Sequence, residues 1–487
     1  MEETYRETLT IEPLALRDRL SLKASDENRQ GEVYPEYSEE MKATPLHRKF
    51  YIESYGCQMN FSDSEIVASI LMKDNFIPVE KFPDADLILI NTCAIRESAE
   101  QKIRQRLTEF SKVKKKNPDA LIGVLGCMAE RLKSRLLEEE KIVDLVVGPD
   151  AYRDLPSLIA RAEDGQKMVN VLLSREETYA DISPVRLSSN GICAFISIMR
   201  GCNNMCSFCV VPLTRGRERS RDPYSIVKEA ENLFDQGFRE VTLLGQNVDS
   251  YSWKNEVTNE SVTFAQLLMK VALIHSDLRV RFSTSHPKDI TAEVILAINK
   301  CPNICSYIHL PLQSGSSAVL QRMNRTYTRE WYINKVDTIR SLIPGCGIST
   351  DIIAGFCGET EEEHFETLEV MDYVQFDMGY MFKYSERPGT PAARKMKDDI
   401  PEQTKNFRLQ QIVDLQHRIQ VINNSREVGK QVRVLAEGYS KRSKEHLFGR
   451  SSENKVVVFP EGGFKKGDYV NVKILGYTSA TLMGEAI

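Results

Sequence analysis

The sequence predicts an α/β protein in three parts: an N-terminal parallel α/β domain, a partial (β/α)6 barrel and a small C-terminal all-β barrel. Strand-helix alternation predicts the first two, because short apolar runs alternate with amphipathic helices from Lys49 and do so again from about residue 191 to residue 400. After about residue 423 the runs are short, separated by Gly or polar turns and without helical period, which predicts the third.

In the first domain the expected strands are Phe50 to Tyr55, Leu87 to Ile90, Leu121 to Leu125 and Val143 to Val147. The expected helices are Ser62 to Asp74, Ser98 to Lys114, Met128 to about Glu139 and Tyr152 to Ala162. Residues 1–47 read as an irregular leader with a short helix around Leu14 to Leu22, and residues 48–165 as the domain. Residues 166–190 read as a linker, and residues 191–422 as the barrel with about six parallel strands. Residues 423–487 complete the chain, with strands around Val432, Leu447, Lys455, Asp468 and Leu482.

Composition narrows the class. A chain of 487 residues fits about three domains, and its 41% hydrophobic and 27% charged residues suit a soluble globular protein. No apolar stretch approaches the roughly 20 residues that span a bilayer. The acidic start, Met-Glu-Glu-Thr-Tyr-Arg-Glu-Thr, lacks the pattern of an export signal, so a cytoplasmic protein with no membrane partner is expected. In that compartment eleven cysteines are ligands, nucleophiles or core residues rather than disulfides.

One stretch organises the rest. Met199-Arg-Gly-Cys202-Asn-Asn-Met-Cys206-Ser-Phe-Cys209 follows an apolar strand and sets three cysteines at C-x3-C-x2-C spacing. Three thiolates on one loop hold three corners of a cubane 4Fe-4S cluster and leave the fourth iron open, whereas a structural iron-sulfur or zinc site takes four ligands. No His or Cys follows Cys209 at zinc-finger distance. A second trio is dispersed: Cys57, Cys93 and Cys127 each follow a strand of the first domain. Strand C-termini of a parallel sheet share one edge, so these three can converge, again one ligand short. Small residues fitting tight turns would explain their size but not that all three are Cys.

Polar residues just past the barrel strands, Gln246, Asn247, Ser285, Gln313 and Asp351, are candidates to touch a cofactor, and turn chemistry alone accounts for any single one of them equally well. His286 and His309, near strand ends, read equally as core or surface residues. Cys193, Cys301, Cys305, Cys346 and Cys357 read as buried or incidental thiols. From Ser425 onward eleven Lys and Arg face seven Asp and Glu, in a chain whose net charge is -5. A basic small barrel reads as an RNA holder ahead of a merely solubilised appendage.

The C-x3-C-x2-C loop resembles the radical S-adenosylmethionine (SAM) signature. Together with the dispersed trio and the basic barrel, which resembles the TRAM RNA-binding domain, it makes residues 48–487 similar to the methylthiotransferases. Within them, Gly56-Cys-Gln-Met-Asn60 and Cys209-Val-Val-Pro-Leu-Thr-Arg-Gly216 resemble the branch acting on N6-(dimethylallyl)adenosine. Cys357 departs from the Pro usual in its Gly-Phe-x-Gly-Glu-Thr turn, a change expected to alter loop stiffness rather than chemistry.

The resemblance implies two 4Fe-4S clusters, a radical-generating one on Cys202, Cys206 and Cys209 and an auxiliary one on Cys57, Cys93 and Cys127. It implies two SAM molecules, one methylating a sulfur and one yielding a 5′-deoxyadenosyl radical that removes hydrogen from adenine C2 at tRNA position 37. The implied partners are a tRNA anticodon stem-loop, an electron donor and a sulfur donor, the enzyme acting as a monomer. Two alternatives remain at this point. One transfers the same group to threonylcarbamoyl-adenosine or a ribosomal-protein aspartate. The other is a non-catalytic RNA-binding protein with structural clusters.

Overall fold

A computed structural model describes residues 32–33, 47–93, 97–186 and 190–487. The expected helix around Leu14 to Leu22 lies outside them. No described helix is long and apolar enough to cross a membrane.

The N-terminal sheet runs in the order Glu32–Val33, Arg48–Tyr55, Leu87–Thr92, Leu121–Gly126, Leu145–Val147, Met168–Asn170, and Phe76–Pro78 also pairs with Arg48–Tyr55. All pairings are parallel except that of Glu32–Val33. Alternate side chains feed two cores. Phe50, Ile52, Leu87, Leu89 and Leu125 face one, while Tyr51, Ile88, Ile90, Ile122 and Val124 face the other, as continuous apolar strands covered on both faces require. Strand order reverses about Arg48–Tyr55, since Phe76–Pro78 lies on one side of it and Leu87–Thr92 on the other. Such reversals are where open α/β sheets bind ligands.

Two expectations change in detail. The helix expected from Met128 to about Glu139 is two helices, Cys127–Leu132 and Ser134–Glu139, because Lys133 between them takes a left-handed φ of 54°. The segment read as a linker from residue 166 adds the strand Met168–Asn170 to the sheet and sends Tyr179 and Ile182 into its core. Short strands of three residues carry too little pattern to be seen in sequence.

The barrel has the six expected parallel strands in two groups. Cys193–Ser197, Glu240–Leu244 and Arg279–Ser283 form one sheet, and Tyr307–His309, Gly347–Ala354 and Met378–Lys383 the other. A single parallel bridge, Val280 to Ile304, relates them. Ser197, Leu244 and Ser283 are in register, so the loops that follow them emerge on one edge.

The C-terminal strands Gln431–Ser440, Ser443–Arg450, Val456–Pro460, Leu482–Ala486 and Tyr469–Tyr477 close into a five-stranded barrel. It docks at the opposite, N-terminal end of the larger barrel's strands. There fully buried Glu240 accepts from Arg279 Nε at 2.6 Å, Arg281 Nε at 2.9 Å and Arg450 Nη2 at 3.5 Å. Burial alone would raise the Glu240 carboxyl, but the three guanidinium groups outweigh it and hold the group well below the carboxylate range.

Candidate active site

Cys57 is the N-cap of the helix Gln58–Lys73 and donates to Asn60 Oδ1 at 3.2 Å. Gly56 before it has φ +121°, and a Cβ there would stand 2.4 Å from Cys93 Cβ. Gly126 before Cys127 has φ +88°, with Asn91 Oδ1 2.3 Å from any added Cβ. The two glycines therefore let the strand ends close up, and the three thiols meet: Cys93 hydrogen-bonds to both Cys127 and Cys57. Those bonds, reinforced by burial, raise the Cys93 thiol. Cys127 is lowered to about 6, by the Cys93 hydrogen bond first and, against burial, by the Arg215 charge.

The second trio comes from one loop. Cys206 is buried and accepts from Arg325 Nη1 at 3.2 Å, while Cys202 and Cys209 accept backbone N–H groups of Asn204 and Val211, both at 3.5 Å. Burial raises the Cys202 thiol to about 11 and the Cys209 thiol to about 12.

All six cysteines line one cavity of about 800 Å³. They are also close across the domain boundary, because Val210, the residue after Cys209, packs against Cys127. Gln246, Ser285, Gln313 and Asp351 line the same cavity. Asn247 does not; its side chain turns to donate to Asp289 Oδ2 at 2.7 Å. Gln246 Oε1 is buried with no hydrogen-bond partner among the described residues, an acceptor left for a bound molecule, while Ser285 turns its hydroxyl toward the buried Asp249 carboxylate. His286 lies on the wall as neutral imidazole, since burial pushes it down to about 2. Buried His309 instead joins Ser349 Oγ at 2.8 Å and faces Asp351 Oδ2 at 3.6 Å. Much of the remaining wall is apolar, with Met59, Phe208, Val210, Ile353, Met381 and Tyr384.

No three His, Cys, Asp or Glu side chains among the described residues close around a single metal ion. A cubane cluster makes a different demand, because its thiolates ligate separate irons. Two sets of three soft thiols without a carboxylate among them suit iron-sulfur chemistry rather than Mg²⁺ or Ca²⁺.

Comparison with known proteins follows the three parts. Residues 49–148 match the uncharacterized protein family UPF0004, residues 196–371 the Radical SAM superfamily and residues 425–487 the TRAM domain. The tRNA-2-methylthio-N(6)-dimethylallyladenosine synthase of Amoebophilus asiaticus is 60% identical over 92% of this chain and 94% of its own. The chain belongs to this family of methylthiotransferases. Family proteins of the same name from Christiangramia forsetii and Bacteroides fragilis (strain YCH46) are 58% and 52% identical, over 90% and 91% of this chain and 94% and 96% of theirs.

Among solved structures, the radical SAM methyltransferase TsrM of Kitasatospora setae, with cobalamin and a [4Fe-4S] cluster bound, superposes with a TM-score of 0.53. It is 15% identical, over 72% of this chain and 77% of TsrM, and shares the fold. The cobalamin-dependent enzyme OxsB gives 0.51 at 13% identity, over 77% of this chain and 56% of OxsB.

Sequence reasoning missed two members of the methylthiotransferase site, Arg215 and Arg325. Arg215 stands in the stretch after Cys209, yet spacing carries no sign that it crosses the domain boundary to Cys127 and Asp63. Arg325, 119 residues from Cys206, has no local signal at all.

Proposed function

We infer that this methylthiotransferase converts N6-(dimethylallyl)adenosine at position 37 of tRNA to its 2-methylthio derivative in the cytoplasm. The reading rests above all on two three-thiol sites sharing one cavity, in a chain similar along most of its length to enzymes named for that product. Cys202, Cys206 and Cys209 would hold the radical-generating cluster, and Cys57, Cys93 and Cys127 the auxiliary cluster that carries the sulfur. When bound, the clusters and SAM supply the electron, the methyl group and the 5′-deoxyadenosyl radical that side-chain bases of ordinary pKa cannot replace at an unactivated C–H bond.

The protein's own part is to bind, orient and exclude water. Gln246, Ser285, Gln313 and Asp351, which line the cavity beside the Cys202 trio, would orient SAM there. Asn247 stands apart from them, donating to Asp289 instead. The apolar wall takes the dimethylallyl group, and the base leaves its stack to reach it. An electron donor and a sulfur donor serve the clusters, and the enzyme acts as a monomer.

Nucleosides from cells lacking the gene should lose the 2-methylthio derivative and accumulate N6-(dimethylallyl)adenosine. Unchanged levels would contradict the assignment. The C-terminal barrel contributes charge to RNA holding, with Lys441 and Lys444 exposed on its first hairpin. The double change Lys441→Gln and Lys444→Gln should weaken tRNA binding and reduce the slope of log affinity against log salt by about 1 to 2. An unchanged slope places the phosphate contacts elsewhere.

A further inference from the structure

The two cysteine trios each have one buried arginine, and the arginines differ in one respect. Every nitrogen of Arg325 has a partner: Nε donates to the Tyr327 hydroxyl at 3.0 Å, Nη1 to Cys206 Sγ at 3.2 Å and Nη2 to the Pro311 carbonyl at 3.0 Å. Arg215 donates from Nε to Cys127 Sγ at 3.2 Å and from Nη2 to Asp63 Oδ2 at 2.8 Å. Its Nη1 is buried with no hydrogen-bond partner among the described residues, and the side chain lines the cavity. Leaving a charged donor unpaired out of water is costly, so such a group marks a place where a partner binds.

The anionic groups nearby are already engaged. Arg200, Arg215 and Arg219 surround Asp63 and Asp150, three buried guanidinium groups against two buried carboxylates. Asp63 is already shared, since its Oδ1 accepts from Arg200 Nη1 at 2.8 Å. The neighbouring buried Glu130 faces exposed Lys133 at 3.8 Å. The carboxylates and the Cys127 sulfur are thus engaged through Nε and Nη2 or by other arginines, and none of them reaches Nη1, in a region where an unpaired buried charged donor is expensive.

We propose that Arg215 binds an anionic sulfur at the Cys57, Cys93 and Cys127 site, through the Nη1 donor the protein itself does not satisfy. The proposal rests on the reading of that trio as an auxiliary cluster. The sulfur is either a sulfide of the cluster or a small thiolate arriving at the open iron; both are soft anions that accept charge-assisted N–H bonds. In either case Nε steadies the Cys127 thiolate, and the guanidinium acts as a positioning residue. Arg325, fully partnered, serves its own cluster only.

The test uses the full chain with both clusters reconstituted anaerobically, titrated with sodium methanethiolate and followed by the paramagnetic spectrum of the reduced auxiliary cluster. Arg215→Met should bind methanethiolate about tenfold more weakly at full iron content, the loss of one charge-assisted hydrogen bond. If the partner is a cluster sulfide, the variant's auxiliary midpoint potential falls even without thiolate. If it is the incoming thiolate, the affinity falls and the thiolate-free potential changes less. Arg215→Lys keeps a cation beside Asp63 but has no second nitrogen, so it should restore the potential and not the affinity. It also guards against misfolding, for which Arg215→Met is already partly protected because Asp63 keeps Arg200. Arg325→Met should shift the other cluster and leave methanethiolate affinity unchanged. Equal affinity and equal potential in Arg215→Met at full iron content would overturn the proposal. A wild-type protein with only about four irons would instead overturn the auxiliary-cluster reading and this inference with it, so the iron count separates the two failures.

Discussion

Replacing Cys57, Cys93 and Cys127 together by Ala should abolish methylthiolation while SAM cleavage continues. Iron should fall from about eight per chain to about four. The two functions separate because the trios come from different domains: one loop of the barrel supplies Cys202, Cys206 and Cys209, and three strand ends of the N-terminal sheet supply the others. Ala at the three positions removes side chains that already stand at glycine-relieved turns, so backbone closure should survive. The control replaces Cys202, Cys206 and Cys209, and there both SAM cleavage and methylthiolation should be lost. Methylthiolation persisting in the first variant would show that its thiols carry no transferable sulfur. Iron analysis with product quantification reads both variants.

The second large effect is structural. Glu240→Gln should destabilise the chain by about 3 kcal/mol, the low end for removing one partner of a buried ion pair. The amide leaves Arg281 without its carboxylate and Arg279 with only the more distant Glu437 at 3.9 Å, while Arg450 keeps Glu437 at 2.7 Å, which limits the damage. Because Glu240 is held well below its unfolded value, its contribution is present above about pH 4.3 and is lost as pH falls below it. Wild type should thus lose stability on acidification by a step that Glu240→Gln lacks. Denaturant midpoints measured across that range check this, and parallel acid limbs for the two proteins would refute it.

Much of this was legible in the sequence because its signals are local. The Cys202 loop announces its three thiols by spacing, and the dispersed trio announces itself by position after strands of the first domain. The five β-runs after residue 423 close as a barrel around inward residues such as Val434, Leu447 and Val457, with buried-exposed alternation clearest in Tyr469–Tyr477. What the sequence hid depends on contacts between distant segments. Arg215 and Arg200 carry no local sign that the first domain brings Asp63 against them. Asn247 looked equivalent to Gln246, yet adjacent residues at a turn point in different directions, and Asp289 captures one of them. The strand Met168–Asn170 was hidden for another reason: three residues are too few to show a period, and the edge of an existing sheet supplied the pairing.

The central claim is that one cavity brings a carbon of the tRNA base between the two cysteine trios. The most direct measurement is an anaerobic turnover on an anticodon stem-loop whose dimethylallyladenosine carries deuterium at C2, with both products weighed by mass spectrometry. The account predicts deuterium in 5′-deoxyadenosine, with methylthiolated RNA as the other product. It also predicts that the Cys57, Cys93 and Cys127 variant still moves the deuterium but adds no sulfur. Methylthiolated RNA accompanied by unlabelled 5′-deoxyadenosine would contradict it.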